Sequence, residues 1–135
     1  MTESAFHSMK RAVLLVGHGS KMEGSDEAIN QVIDELRKRD LATLFQPAFL
    51  ELQSPNIPDG IALCIKQGAD EVIVVPYFVQ TGRHVVHDIP RLIEEAKALH
   101  PKVFISLSNY LGFDSRMVSI VEDRIKQARS AKIIE

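Results

Sequence analysis

The sequence predicts an α/β fold, a three-layer sandwich with a four-stranded, mostly parallel sheet between helices. Three observations carry that prediction. Short β-rich apolar runs recur along the chain, at Ala12–Val16, Leu44–Leu52, Glu71–Phe78 and Lys102–Leu107. A stretch with apolar residues three and four apart follows each run, the period of a helix packed along one face. The runs are near-continuous rather than alternating, which suits strands covered on both sides. Strands alternating with helices then imply parallel pairing through right-handed crossovers.

Taken in order, "AVLLV" is the first strand and stops at the turn signal "GHGS". Ile29, Val32, Ile33 and Leu36 form the apolar stripe of the first helix, with "DELRKRD" turned to water. The second strand, "LFQPAFLEL", contains Pro47, which lacks a ladder donor and points to an edge position or the start of the run. In "SPNIPDGIALCIKQG" a cap-like Ser54 and two prolines precede a short helix closed by Gly68. "EVIVVPYF" is the third and most apolar strand. Asp88 is a good N-cap with Pro90 in the first turn, so the third helix is expected from near Asp88 to Leu99, leaving His87 in the approach loop. Its inner face is Ile89, Leu92, Ile93 and Ala96. "KVFISL" is the fourth strand. Met117, Ile120, Val121, Arg124 and Ile125 are spaced for a final helix within "SRMVSIVEDRIKQA", and "SAKIIE" reads as a tail.

The 135 residues suit one domain, 1–135, with its core from about residue 12 to 128. Such a chain buries roughly two-thirds of its unfolded surface. A four-stranded sheet is small, and a unit of this size calls for a partner surface. The 16 basic and 18 acidic side chains are intermixed and leave a net charge of −2, which is no nucleic-acid footprint. No apolar stretch is long enough for a bilayer, and "MTESAFHSMK" lacks the apolar segment of a signal peptide. A cytoplasmic protein is expected. The single cysteine, Cys64, excludes an internal disulfide and a four-thiolate cluster.

Open parallel sheets collect ligands outside the carboxyl ends of their strands. Three chemically useful side chains fall there: His18 after the first strand, Glu51 at the end of the second and His84 after the third. The fold brings the three strand ends to one edge. Imidazole nitrogen selects cobalt, nickel, iron or zinc over magnesium or calcium, and a carboxylate adds a further ligand. The same imidazoles serve as proton acceptors near neutral pH. With no HExxH motif and no thiolate cage, the site suits a metal in transit better than a structural ion. "GHGSKMEG" is neither a dinucleotide fingerprint nor a Walker A loop, and no ATP is implied. Phosphate recognition by this loop with Lys21 stays open. "GHGS" is not a nucleophile elbow, although Ser20 with His84 keeps a small metal-independent hydrolase among the alternatives. A receiver-like module is disfavoured, because "VGHGS" stands where an acidic pair is expected.

"LLVGHGS", "FLEL.SP" and "VVPYFVQTGRHVVHDIP" together resemble the short class II chelatases, the small CbiX-type relatives of sirohydrochlorin cobaltochelatase and sirohydrochlorin ferrochelatase. The likeness runs from about Ala12 to Ile125. It implies a chelatase-like fold, insertion of Co²⁺, Fe²⁺ or Ni²⁺ into a sirohydrochlorin-type tetrapyrrole, and homodimers with the macrocycle in the cleft. The metal is the substrate, with Co²⁺ favoured, and no permanent cofactor is expected. By this resemblance His18 and His84 are the metal-handling and proton-accepting pair, and Glu51 binds or guides the ion. Ser20, Lys21, Phe78, Gly82 and Arg83 are placed to contact the macrocycle. Lys21 stands where the family often has arginine, and His87 falls on a variable position. A metal-binding chaperone without catalysis is the alternative that keeps the same histidines.

Overall fold

The computed structural model describes residues 9–130, and the side chain of His84 lies outside that description. The expected tail falls outside it beyond Ser130, as do most of the first ten residues read above for a leader.

Four strands form one sheet in the order β2-β1-β3-β4. They are β1 (Arg11–Gly17), β2 (Leu44–Phe49), β3 (Glu71–Pro76) and β4 (Phe104–Leu107). Every pairing is parallel. β2 is an edge strand, as Pro47 requires. The chain steps to one side of β1 for β2 and to the other for β3, so the strand order reverses between β1 and β3. A crevice opens at such a switch point.

The helices are α1 (Glu27–Leu36), α2 (Ile57–Lys66), α3 (Arg83–Leu99) and α4 (Ser115–Ser130), with a short 3-10 turn at Arg37–Arg39. On one face of the sheet, Leu14, Val16, Val72 and Val74 pack with Ile57, Ile61 and Cys64 of α2 and Ile89, Ile93 and Ala96 of α3. On the other face, Leu15, Phe45 and Phe49 pack with Ile29 and Ile33 of α1. These are the three layers. Their close contact is visible at Gly60 of α2, where a Cβ would lie 2.8 Å from a Leu14 methyl.

Two helix starts differ from expectation. Ser54 does not cap α2. Asn56 does, with extended backbone and its side-chain oxygen accepting the Asp59 N–H at 2.9 Å, and proline follows in the first turn. Nor does α3 begin near Asp88. Gly82 is its extended N-cap, and the Val86 N–H closes the first turn on the Gly82 carbonyl at 3.1 Å. Pro90 is therefore inside the helix. Asp88 is not a cap but a mid-helix carboxylate 3.8 Å from Arg91. His87 leaves the approach loop for the exposed side of α3, one turn from His84.

Candidate functional site

The carboxyl ends of β1 and β3 flank an open cleft of about 400 Å³. Its floor is apolar, formed by Ile29, Phe49 and Phe78, and its rim is the loop Gly17–Ser20 with Gln53 and Gln80. His18 stands at this rim as an exposed residue directly after β1. Its ring rests on Phe78, with centroids 5.1 Å apart and planes inclined by 56°. Phe78 is buried and also walls a second hollow of about 200 Å³ beside Thr81, Val85 and Tyr110.

Backbone contacts hold the histidine loop. Gly19 has φ +96°, and a Cβ there would collide with the carbonyl of Glu51. Only glycine satisfies both demands. The Glu51 N–H donates to the His18 carbonyl at 3.2 Å, and the Leu50 N–H donates to the Gly17 carbonyl at 3.1 Å. The Gln53 side-chain oxygen accepts the Ser20 N–H at 2.8 Å and the Ser25 hydroxyl at 3.3 Å. The imidazole is thus mounted on the turn that leaves β2.

The predicted site residues divide accordingly. Glu51 lies beyond the end of β2, in the turn, with an exposed side chain, and its backbone makes the contact with the His18 loop. The Ser20 hydroxyl accepts the Met22 N–H at 3.0 Å and so shapes its own turn. Lys21 and Arg83 are exposed, Arg83 as the first residue of α3. Gly82 is needed neither for space nor for a positive φ, since a Cβ there meets nothing within 4 Å and its φ is −83°. His84 belongs to the first turn of α3. Among the described residues, no three histidine, cysteine or carboxylate side chains are grouped to hold an ion. The His84 side chain lies outside the described structure, so the set His18, His84 and Glu51 stays an expectation.

Sequence reasoning missed Gln53 and Tyr77. Gln53 sits in "ELQSP" with no motif to mark it, and its role depends on a non-local contact across 33 residues. Tyr77 lies in an apolar run that reads as strand, yet its N–H continues the ladder to the Val16 carbonyl at 2.8 Å past the end of β3 and places the residue at the cleft.

The model of the CbiX family matches residues 12–128. The chain belongs to the CbiX family. It is 36% identical over 118 residues to the sirohydrochlorin ferrochelatase of Bacillus subtilis, a match covering 87% of this chain and 45% of that protein. It is 31% identical over 120 residues to the sirohydrochlorin cobaltochelatase of Sulfolobus acidocaldarius, covering 89% and 94%. Among solved structures, the sirohydrochlorin chelatase SirB from Bacillus subtilis subspecies spizizenii, in complex with cobalt, superposes with a TM-score of 0.79 at 36% identity. That match covers 88% of this chain and 51% of SirB. This CbiX chain therefore spans about half the length of its Bacillus relatives and nearly all of the Sulfolobus one. Its four parallel strands and flanking helices are the fold those chelatases share.

Proposed function

We propose that this CbiX chain is a sirohydrochlorin chelatase, an enzyme that inserts a divalent ion into a sirohydrochlorin-type tetrapyrrole and releases two protons. Co²⁺ is the favoured ion, with Fe²⁺ and Ni²⁺ as the other candidates. The observation that carries the reading is the cleft at the switch point, with an apolar floor and the His18 imidazole standing on Phe78 at its mouth. A flat macrocycle needs such a floor, and metallation needs a basic nitrogen at the ring.

In the reaction two pyrrole N–H bonds break while the ring nitrogens form bonds to the ion, so the charge that enters as M²⁺ leaves as two H⁺. His18 and His84 share the work of delivering the ion and accepting the protons, for which imidazole suits near-neutral pH. Glu51 guides the cation from the exposed turn. The acidic arms of the ring meet Lys21, Arg83 and the open N–H groups of the first turn of α3 after Gly82. Ser20 holds the loop in shape and Phe78 supports the ring. The metal is substrate, and no resident cofactor is invoked.

The same proposal takes residues 1–135 as one domain, located in the cytoplasm and supplying sirohaem or cobalamin synthesis. It takes two copies of the chain as the working unit, with no nucleic-acid or membrane partner. No described helix is long and apolar enough to cross a membrane.

The test is anaerobic incubation of the purified protein with sirohydrochlorin and Co²⁺, Fe²⁺ or Ni²⁺ side by side, following the spectral change from free to metallated ring. His18→Ala and His84→Ala should each slow the reaction by about 10²–10⁴-fold, the range for lost acid–base catalysis. His18 is exposed, so the first variant should keep its melting temperature. Full rate in both variants overturns the assignment. Metal binding without any spectral change would instead make the protein a metal carrier.

A further inference from the structure

Among the described residues, the fold leaves two apolar surfaces uncovered. The first is α4. Among the described residues it buries none and packs against no other helix or strand in any substantial way. Yet Met117, Val118, Val121 and Ile125 line one side of it, with Val118, Val121 and Ile125 each more than half exposed. The second is the half of the sheet beyond α1. Ladder partners point to the same side, so Ile73, Val75 and Phe104 share the α1 face, with Ser106 and the Arg11–Glu71 ion pair beside them. α1 lies mainly over β1 and β2, with Val75 at the margin of its cluster. Phe104 is 74% exposed as a result, in a strand whose other side is core.

α4 does not fold back onto that vacancy in its own chain. The segment before it is tied to the sheet rim, where the Gly112 N–H donates to the Phe78 carbonyl at 3.3 Å. Asp114 then opens the helix, accepting the Arg116 N–H at 3.0 Å and its guanidinium at 2.8 Å. The helix therefore leaves from the edge at which the cleft opens, where a second copy facing that rim would meet it first. A helix of 16 residues is about 24 Å long and about 10 Å wide. Two reciprocal contacts of that size, counted on both surfaces, come to roughly 1,000 Å², somewhat below the ~1,200 Å² at which standard stable interfaces begin.

We infer that two copies of this chain exchange α4, each laying its Met117–Ile125 stripe across Ile73, Val75 and Phe104 of the other. A two-fold arrangement satisfies both vacancies with one contact type. The inference rests on the two-copy reading above and adds the segment that each copy lends.

The experiment measures solution mass across a dilution series and then tests the contact directly. The chain should run at twice its monomer mass. Val121→Glu should move it to the monomer at concentrations at least tenfold higher than for the unaltered chain, with unchanged circular dichroism, because Val121 is more than half exposed on a helix that buries no residue among those described. Chains carrying Val121→Cys, mixed with chains carrying Phe104→Cys, should form a disulfide between the two kinds of chain. Cys64 is buried and stays out of this chemistry. A monomer at every concentration overturns the two-copy reading itself. A dimer that ignores Val121→Glu and gives no mixed disulfide overturns the helix exchange alone. So does a chain carrying both cysteines that closes only within itself.

Discussion

The two faces of the sheet are covered very differently, and the front one carries the Arg11–Glu71 ion pair and Ser106 among its apolar residues. Behind β1 and β3, α2 and α3 seal Leu14, Val16, Val72 and Val74 to zero exposure. In front, α1 shields β1 and β2 and stops, so the neighbours Ile73 and Val75 stay half-buried in the same strand. From Val72 to Pro76 β3 is thus apolar in sequence but alternates in burial. A parallel strand reads as a continuous apolar run because both of its sides are meant to be covered. Where one side is open, the composition of the strand records a cover that the described residues do not supply.

The contrast between the sealed and the open face can be measured. The largest effect is expected behind the sheet: Ile61→Ala empties a position with no exposure and should cost about 2–5 kcal/mol in denaturant unfolding. An effect below about 1 kcal/mol would mean that the sealed face is not the main core. The next test is pH. Burial pushes the Cys64 thiol from 9.0 up to about 11. The unfolded chain then loses this proton at a lower pH than the folded one, so stability should fall as pH rises through that window. Cys64→Ala should flatten the decline, and an unchanged slope would count against a tightly packed α2.

The cap of α2 gives a smaller change. Asn56→Ala removes the acceptor of the Asp59 N–H and should cost about 1 kcal/mol, read from the same denaturant curves. The smallest effect belongs to the open face. Phe104→Ser in the dissociated chain should stay within about 0.5 kcal/mol, as for other exposed positions. A larger loss there would show that the face is already covered within one chain.

The strands were legible because each apolar run is bounded by turn residues, and the edge position of β2 was legible from Pro47. The start of α3 was not. Asp88 followed closely by Pro90 imitates a cap and first turn. Gly82 instead supplies an extended N-cap more than a turn earlier, and the helix tolerates the proline inside it. The periodicity of α4 was also legible, while its lack of a partner among the described residues was not, since spacing marks an apolar stripe and not what covers it.

At the candidate site, His18 was legible from its glycines and its place after β1. The part played by position 51 was not, because it runs through the main chain: the Glu51 N–H and carbonyl meet the His18 loop, while the carboxylate stays exposed. Gln53 carried no signal, since a lone glutamine in a polar turn has many possible partners and only the fold selects Ser20 and Ser25.

Because Gly19 is seated against the Glu51 carbonyl, tolerance of change in this turn depends on chain length more than on side-chain identity. The side chain at 51 is open to replacement by many residue types without displacing the imidazole. Adding or deleting one residue between Leu50 and Gln53 is a different matter, because it shifts the peptide units against which the histidine is braced. In a library built on this chain, length in that turn should be held constant and Gln53 kept for its hold on Ser20 and Ser25, while the side chain at 51 is varied.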